Sequence, residues 1–344
     1  MNAFKGVTQV LNEYDANLKT LMEQTKNDLS VAVEDINTKL DQLSELNSSI
    51  AHEIFSNNDY DGVNYGPNDL LDQRNVILDD LSRYGDVQVT DLEDGKIQVK
   101  INGKVVVDAS GASYTNDKLN IGSDGVTLTW NSNNQNANLG AGAIRGFTDM
   151  LTGADPINAG IPYYQNKMDN FAQTLADVFN KKIHADDPDF PDKYKFLLQG
   201  GVDGKVTAGN ISISDQWADD VSYIIRKQNP DGELDNQDIL DMKAAFEQDF
   251  NFGGEYTGTF SEFITSVTNT LGSGIKTNSA RMSASLAIAE SADSERMGVS
   301  GVSLNEEGIS MMTYNKAYQA LGRLMTTMDE QLDMIINKMG IVGR

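Results

Sequence analysis

The chain has 344 residues, no cysteine, and a net charge of −24 from 51 acidic and 27 basic residues. Its length allows two or three domains with separate cores. The absence of cysteine excludes disulfides, thiolate metal sites and cysteine nucleophiles. The negative charge opposes nucleic-acid and anionic-membrane partners. Because the sequence shows neither 18 consecutive apolar residues nor a Sec-type signal peptide, we expect no membrane insertion.

Residues 4–55 are predicted to form one long helix, because apolar residues recur every three or four positions. The first stripe is Val7, Leu11, Tyr14, Leu18 and Leu21. After a one-residue slip, the second stripe is Leu29, Val33, Ile36, Leu40, Leu43, Asn47, Ile50 and Ile54. A turn at 57–62 ends this helix, and a second helix is predicted from Leu70 to Arg83.

Apolar residues then alternate with a period of two, which predicts β-strands. Alternation runs through 87–89 and 97–101 and is followed by the apolar residues 105–107. The pairs Asp94-Gly95 and Asn102-Gly103 between these segments are typical of type I′ turns, so an antiparallel hairpin or meander is expected. A further strand is predicted at 126–130, and residues 131–138 read as a polar loop.

Helical spacing returns after Gly142, most clearly from Tyr164 to Ile183, and again over Asp235–Phe250 and Phe260–Glu290. A short strand is predicted around Ile211 and Ile213. The fold class is therefore predicted to be α+β, with a bundle of long helices from both ends of the chain enclosing a β-rich inserted domain. The predicted segments are 1–83 (long helix and second helix of the helical core domain), 84–140 (β-rich insertion), 141–185 (return helix), 186–230 (a loop and short strands, with an acidic loop at 186–192), 231–300 (helical core domain) and 301–344 (C-terminal coiled-coil assembly helix).

The C-terminal segment carries a heptad pattern, which we call the apolar seam. Its members are Met311, Tyr314, Tyr318, Leu321, Met325, Met328, Leu332, Ile335 and Met339. None is charged, and such a pattern requires a partner helix along its length. Glu306 and Glu307 precede the seam, where a helix dipole favours negative charge, and Gly340 is a stop signal.

Catalytic, cofactor and metal sites are not predicted. The two histidines, His52 and His184, are interpreted as surface groups, since few partners for a metal site or a catalytic triad accompany them. The segment Asn229–Asp238 resembles part of an EF-hand loop, but Lys227 stands at its first ligand position. We favour a turn at Asp231-Gly232 followed by a capped helix.

Four segments resemble the FlgK family of flagellar hook-associated proteins. They are Ser300–Glu307 (SGVSLNEE), Tyr314–Ala320 with Met328–Glu330 (YNKAYQA and MDE), Asn68–Asn75 (NDLLDQRN) and Ala208–Asp220. The C-terminal block resembles hook and rod proteins as well, whereas its combination with NDLLDQR is specific to this family.

The resemblance implies a non-enzymatic structural subunit that joins hook to filament and resembles flagellin in its layering. The terminal helices would form an inner coiled-coil layer, and the β-rich insertion would lie outside. Implied partners are other copies, hook protein, the second junction protein and a cytoplasmic export chaperone that masks the seam. The implied location is the extracellular flagellum, reached by type III export without a Sec signal; no cofactor is implied.

The family's N-terminal helix, with its NVNTPGYSRQ-like element, has no counterpart before residue 4, so the resemblance predicts a chain truncated at its N-terminus. The seam's usual partner would then be missing. Two alternatives stay open: another flagellar axial protein, such as the second junction protein or a flagellin, and an extracellular calcium-dependent adhesin or enzyme.

Overall fold

A computed structural model describes residues 1–57, 67–109, 115–137, 139–184, 196–201, 204–225, 236–301 and 303–334. The fold is α+β, mostly helical, with small antiparallel sheets and long helices near both ends of the chain. It divides into two compact units, Met1–Thr268 and Asn269–Arg344. The predicted acidic loop at 186–192 and most of the predicted turn at 57–62 lie outside the described residues.

Six helices belong wholly to the described part of the first unit. They are α1 (Asn2–Asn57), α2 (Asn68–Ser82), α3 (Gly142–Thr152), α4 (Ile161–Lys182), α5 (Asp215–Asp219) and α6 (Gln237–Ala245), with 3-10 turns at Glu93–Gly95 and Val221–Ile225. At a rise of 1.5 Å per residue, the 56 residues of α1 span roughly 84 Å. The predicted helices at 4–55 and Leu70–Arg83 are confirmed to within two residues at each end.

The strands of the described residues form one four-stranded sheet and three two-stranded ones. They are β1 (Val87–Asp91), β2 (Ile97–Ile101), β3 (Lys104–Asp108), β4 (Thr115–Asn116), β5 (Leu119–Ile121), β6 (Leu128–Trp130), β7 (Leu198–Gln199), β8 (Ser212–Ile213), β9 (Phe250–Phe252) and β10 (Tyr256–Gly258). Strands β1 to β4 pair in sequence order, and Val99 lies opposite both Val89 and Val107. The predicted meander is confirmed.

The turns of this meander have the backbone geometry that their sequences favour. Asp94, Gly95, Asn102 and Gly103 all have positive φ angles, which glycine and asparagine tolerate best. A side chain on Gly95 would also press on α1, because an added Cβ would lie 2.5 Å from Ile54 Cδ1. The first of these turns therefore packs directly on the long helix.

Arg74 of α2, the arginine of the NDLLDQR segment, also binds the turn at Asp94-Gly95. Its Nη1 donates to the carbonyl of Gly95 over 2.6 Å. Burial lowers the pKa of the Arg74 guanidinium, and the nearby Asp91 opposes that shift. The motif that carries the family resemblance thus joins α2 to the turn before β2.

The buried face of α1 differs in its first half from the predicted stripe. Val7 and Leu21 are 41% and 37% exposed, whereas the polar residues Thr8 and Asp15 are buried. The first stripe is therefore confirmed at Leu11, which is buried, and at Tyr14, which packs against buried residues, but it is wrong at its ends. Asp15 is buried because Gly209 lies against it, so closely that a side chain on Gly209 would collide with the Asp15 carboxylate. The second stripe is confirmed, with buried side chains from Leu29 to Ile50.

Helix α1 contributes to two separate hydrophobic cores. The sheet core joins its middle and C-terminal part to the β-region; its members include Leu29, Ile36, Leu40, Leu43, Leu81, Ile97, Val99, Ile101, Trp130 and Ile144. The aromatic core joins its N-terminal part to α4 and the segments after it; its members include Leu11, Phe171, Phe179, Trp217, Phe252, Phe260 and Phe263. Edge and stacked ring pairs dominate the aromatic core, such as Phe252 and Phe263 with centroids 4.3 Å apart.

Asparagines on helices bind the backbone of nearby strands. The Asn47 side chain donates to the Ile97 carbonyl over 2.9 Å and accepts from the Ile97 N–H over 3.1 Å. Asn37 makes the same pair of bonds with Leu119, both at 2.9 Å. Each side-chain amide thus makes, for one strand residue, the two hydrogen bonds that a neighbouring strand would make. Each pair of bonds fixes the position of α1 along that strand.

One predicted helix is shorter than expected. The helix expected over Asp235–Phe250 is confirmed only for Gln237–Ala245, and Phe250 instead begins strand β9. Phe250 is in strand because Phe252 and Tyr256 pair across a turn whose residues Gly253 and Gly254 have positive φ. Asp235 lies outside the described residues.

The described part of the second unit is helical. Helix α7 extends from Phe260 to Ser300, ten residues beyond its predicted end at Glu290, and α8 extends from Leu304 to Asp333. From 269 to 334, no side chain that the structure describes is buried.

Candidate functional site

Helix α8 begins with a side-chain cap. Ser303 Oγ accepts from the Glu306 N–H over 3.4 Å, and Glu306 and Glu307 occupy the first turn. Both carboxylates therefore lie at the positive end of the helix dipole, as the sequence predicts. The cap therefore defines where α8 begins, ahead of the first seam residue, Met311.

The described members of the apolar seam are all exposed. Seven of them are described, and each is more than half accessible to solvent: Met311, Tyr314, Tyr318, Leu321, Met325, Met328 and Leu332. Ile335, Met339 and the predicted stop at Gly340 lie outside the described residues. The steps of three and four residues place the seven side chains along one face of α8. That this face binds a partner stays a prediction.

Three charged residues of α8 lie away from this face. Lys316, Arg323 and Glu330 follow one another at intervals of seven residues, at the heptad position farthest from the seam. A helix with an apolar face and charges opposite it can bury the apolar face while its charges stay in water. The arrangement suits packing against another helix.

Further exposed apolar side chains, which the seam does not include, flank it or lie on α7. They are Ile275, Met282, Leu286, Ile288, Met297, Leu304, Ile309, Met312, Leu324 and Met334. The sequence offered a signal for Met312, Leu324 and Met334, because they stand next to seam positions, and for Leu304, which stands seven residues before Met311. The Ser- and Ala-rich composition of α7 obscured those on that helix.

His184 is a correction to the expected surface histidine. It has 0% exposure, and its Nε2 lies 2.8 Å from the carbonyl oxygen of Tyr223. Its backbone N–H donates to Asp238 Oδ2 over 2.9 Å, and its Nδ1 lies 3.4 Å from the same oxygen. The residue is buried because it follows α4 with a positive φ of 47°, which turns it toward α6. His52, by contrast, is exposed.

Asp238, the terminal residue of the EF-hand-like segment, is used in this contact with His184. Most of that segment, Asn229 to Asp235, lies outside the described residues, as does Lys227. Within the part of the chain that the structure describes, no three histidine or acidic side chains are grouped to hold a metal ion. A helix apolar enough and long enough to cross a membrane is likewise not found there.

Known proteins and family models match almost the whole chain. A family model described as the flagellar hook-associated protein FlgK helical domain matches residues 1–190. A second, described as flagellar basal body rod FlgEFG protein C-terminal, matches residues 294–338, which include eight of the nine seam residues. Flagellar hook-associated protein 1 of Bacillus subtilis (strain 168) is 26% identical over 381 residues, covering 99% of this chain and 71% of that protein.

Proposed function

Because the chain belongs to the FlgK family of flagellar hook-associated proteins, we propose that it assembles through the apolar seam of α8. It is a structural protein of the junction between hook and filament in the bacterial flagellum. The observation that carries the assembly role is the exposure of all seven described seam residues on a helix within the match to rod proteins.

The energetics favour a seam that is stable only when covered. Burial of its nine side chains contributes on the order of 15–25 kcal/mol of gross transfer free energy. Most of that gain is offset by the loss of conformational freedom when the helix and its side chains become fixed. Assembly therefore depends on the match with the partner surface, and the methionines allow that surface to vary along the junction.

The partners follow from the family role. Other copies of the chain, hook protein and the second junction protein would cover the seam in the flagellum, and a cytoplasmic export chaperone would cover it beforehand. Export would follow the flagellar type III pathway, and the protein would act outside the cell without catalysing a reaction. These partners and this route are proposals.

The domain organisation is part of the same proposal. The terminal segments, 1–83 and 301–344, would contribute the inner layers of a flagellin-like axial protein. Residues 84–140 would form a β-rich insertion farther from the axis, with 186–230 as a second outer segment. The segments 141–185 and 231–300 would complete the helical core domain.

Complementation tests the seam. A strain that lacks its own family member would express the chain with Leu321→Asp or with Met328→Asp, each of which places a carboxylate on the seam. Gln319→Asp is the matched control, since it adds the same charge beside the seam positions of the same helix. Filaments attached to hooks would be counted by electron microscopy, and the exported protein by immunoblot.

We expect both seam variants to lose attached filaments and the control to retain them, because a buried unpaired carboxylate opposes helix packing. Secreted Leu321→Asp that still supports normal filaments would overturn the assembly role of the seam. Loss of filaments with Gln319→Asp as well would show that charge alone, rather than position, is responsible.

A further inference from the structure

The methionines of this chain divide sharply by exposure. From residue 282 onward, seven are described and each is more than half exposed: Met282, Met297, Met311, Met312, Met325, Met328 and Met334. In the first unit, Met168 and Met242 are 7% and 6% exposed, and no described methionine there exceeds the 36% of Met150. Met339 lies outside the described residues.

All the sulfur of the chain is in methionine, because there are 13 methionines and no cysteine. A thiolate would otherwise react first with mild oxidants. Thioether oxidation requires access of the oxidant to sulfur, so exposure decides which methionines react. The seven exposed methionines from 282 to 334 are therefore the sites that a two-electron oxidant would oxidise fastest.

We propose that Met311, Met325 and Met328 are oxidation sites for peroxides and that their sulfoxides block assembly through the seam. The inference rests on the assembly role proposed above. In the reaction the thioether sulfur donates an electron pair to one oxygen of hydrogen peroxide. The S–O bond forms as the O–O bond breaks, sulfur loses two electrons, and the second oxygen leaves as water after proton transfer.

The product is unsuited to a buried helix face. A sulfoxide oxygen is a strong hydrogen-bond acceptor on a side chain that was apolar, and a packed seam of apolar side chains and tyrosines offers it few donors. Burial of an acceptor without a donor opposes association. Met312 and Met334 lie outside the seam, so their oxidation leaves the seam itself apolar. Oxidation at these two sites therefore serves as an internal control for oxidation on the seam.

The first measurement maps oxidation on the folded chain. The protein would be treated with hydrogen peroxide, digested and analysed by peptide mass spectrometry over time. We expect the methionines from 282 to 334 to gain oxygen at least about tenfold faster than Met168 and Met242, since local opening limits the buried pair. Equal rates at Met325 and Met168 would overturn the inference.

The second measurement tests the consequence for assembly. Treated and untreated protein would be sedimented with hooks isolated from a strain that lacks its own family member. A triple variant, Met311→Leu, Met325→Leu and Met328→Leu, keeps the seam apolar but removes its oxidisable sulfur. The control variant carries Met282→Leu, Met312→Leu and Met334→Leu, which removes three exposed sulfurs outside the seam.

We expect peroxide to reduce sedimentation of the natural sequence and of the control variant by at least about tenfold, and to leave the seam variant attached. Loss of attachment by the oxidised seam variant would overturn the inference, as would normal attachment of the oxidised natural sequence. If untreated protein fails to sediment with hooks, the proposed assembly role falls and the inference falls with it. The untreated sample therefore separates the two failures.

Discussion

Helices α1 and α8 carry similar sequence patterns but differ in what surrounds them. Both place apolar residues at steps of three and four, and both are long. In α1 the core-facing side chains Leu29, Leu40 and Leu43 have 0% exposure, whereas Leu321 and Met325 on the seam of α8 are 59% and 70% exposed. The pattern thus predicts a helix and its apolar face, but not whether the same chain covers that face.

The polar residues of the two faces explain part of this difference. The core-facing side of α1 includes Asn37 and Asn47, whose amides bind single strand residues with defined geometry. The seam of α8 has no amide or charged group, and its only polar atoms are tyrosine hydroxyls. A face that binds fixed backbone partners suits a permanent core, while an apolar face suits partners that change.

The sharpest test of this comparison is truncation of one leucine on each helix. Leu40→Ala leaves a cavity in the sheet core and should reduce the free energy of unfolding by about 2–5 kcal/mol. Leu321→Ala, the matched change on the exposed seam, should cost less than about 0.5 kcal/mol in the soluble chain. Urea unfolding followed by far-UV circular dichroism would measure both, with tryptophan fluorescence reporting the two cores together through Trp130 and Trp217.

Similar losses for the two variants would contradict the comparison. They would show that the seam is covered by other residues of the same chain in solution.

A smaller effect is expected from removing one amide on α1. Asn47→Leu keeps the side-chain size but leaves the N–H and carbonyl of Ile97 without their bonds to the amide. The two buried groups should lower the free energy of unfolding by about 2–4 kcal/mol, partly offset by the added apolar contact. Asn27→Leu is the control, because Asn27 lies on the exposed side of the same helix.

The same urea titrations measure this pair. A stable Asn47→Leu protein, with Asn27→Leu equally stable, would mean that helix and strand are held together by apolar contact alone.

The smallest expected effect is pH-dependent. The Tyr84 hydroxyl donates to Asp35 Oδ2 on α1 over 2.7 Å. This bond, with burial adding to it, raises the pKa of Tyr84 to about 12 from an ordinary value of 10.0. Between pH 10 and pH 12 the unfolded tyrosine loses its proton while the folded one keeps it. The contribution to stability is therefore complete below pH 10 and is lost as pH rises toward 12.

Tyr84→Phe should cost about 1 kcal/mol at pH 8, since Tyr84 is only partly buried, and less at pH 11.5. Urea midpoints of the natural sequence and the variant, measured side by side, cancel the titration of other groups. A difference between them that stays constant from pH 8 to pH 11.5 would show that the bond to Asp35 does not affect the ionisation of Tyr84.

Local sequence rules predict the parts of this fold that local physics controls. The Asn102-Gly103 turn follows from the positive φ angles that these residues accept, and α1 follows from its apolar periodicity. The seam follows from the heptad pattern, because spacing alone places its side chains on one face. The family resemblance identifies the assembly to which the chain belongs.

The remaining features depend on contacts between distant segments. Asp15 is buried because Gly209 lies against α1, and no local pattern places a carboxylate on the core side of a helix. His184 is buried next to Asp238, 54 residues later, which accepts from its backbone N–H. The bonds of Asn37 and Asn47 to strands are equally non-local. Periodicity in sequence carries no information about such pairs.

The continuity of α1 has a mechanical consequence. One unbroken helix supplies Leu11 to the aromatic core and Leu43 to the sheet core. A pulling or twisting load on one core therefore reaches the other through the hydrogen bonds of a single helix, without crossing a loop. The two cores of the first unit would therefore move together under such a load, because α1 provides no hinge between them.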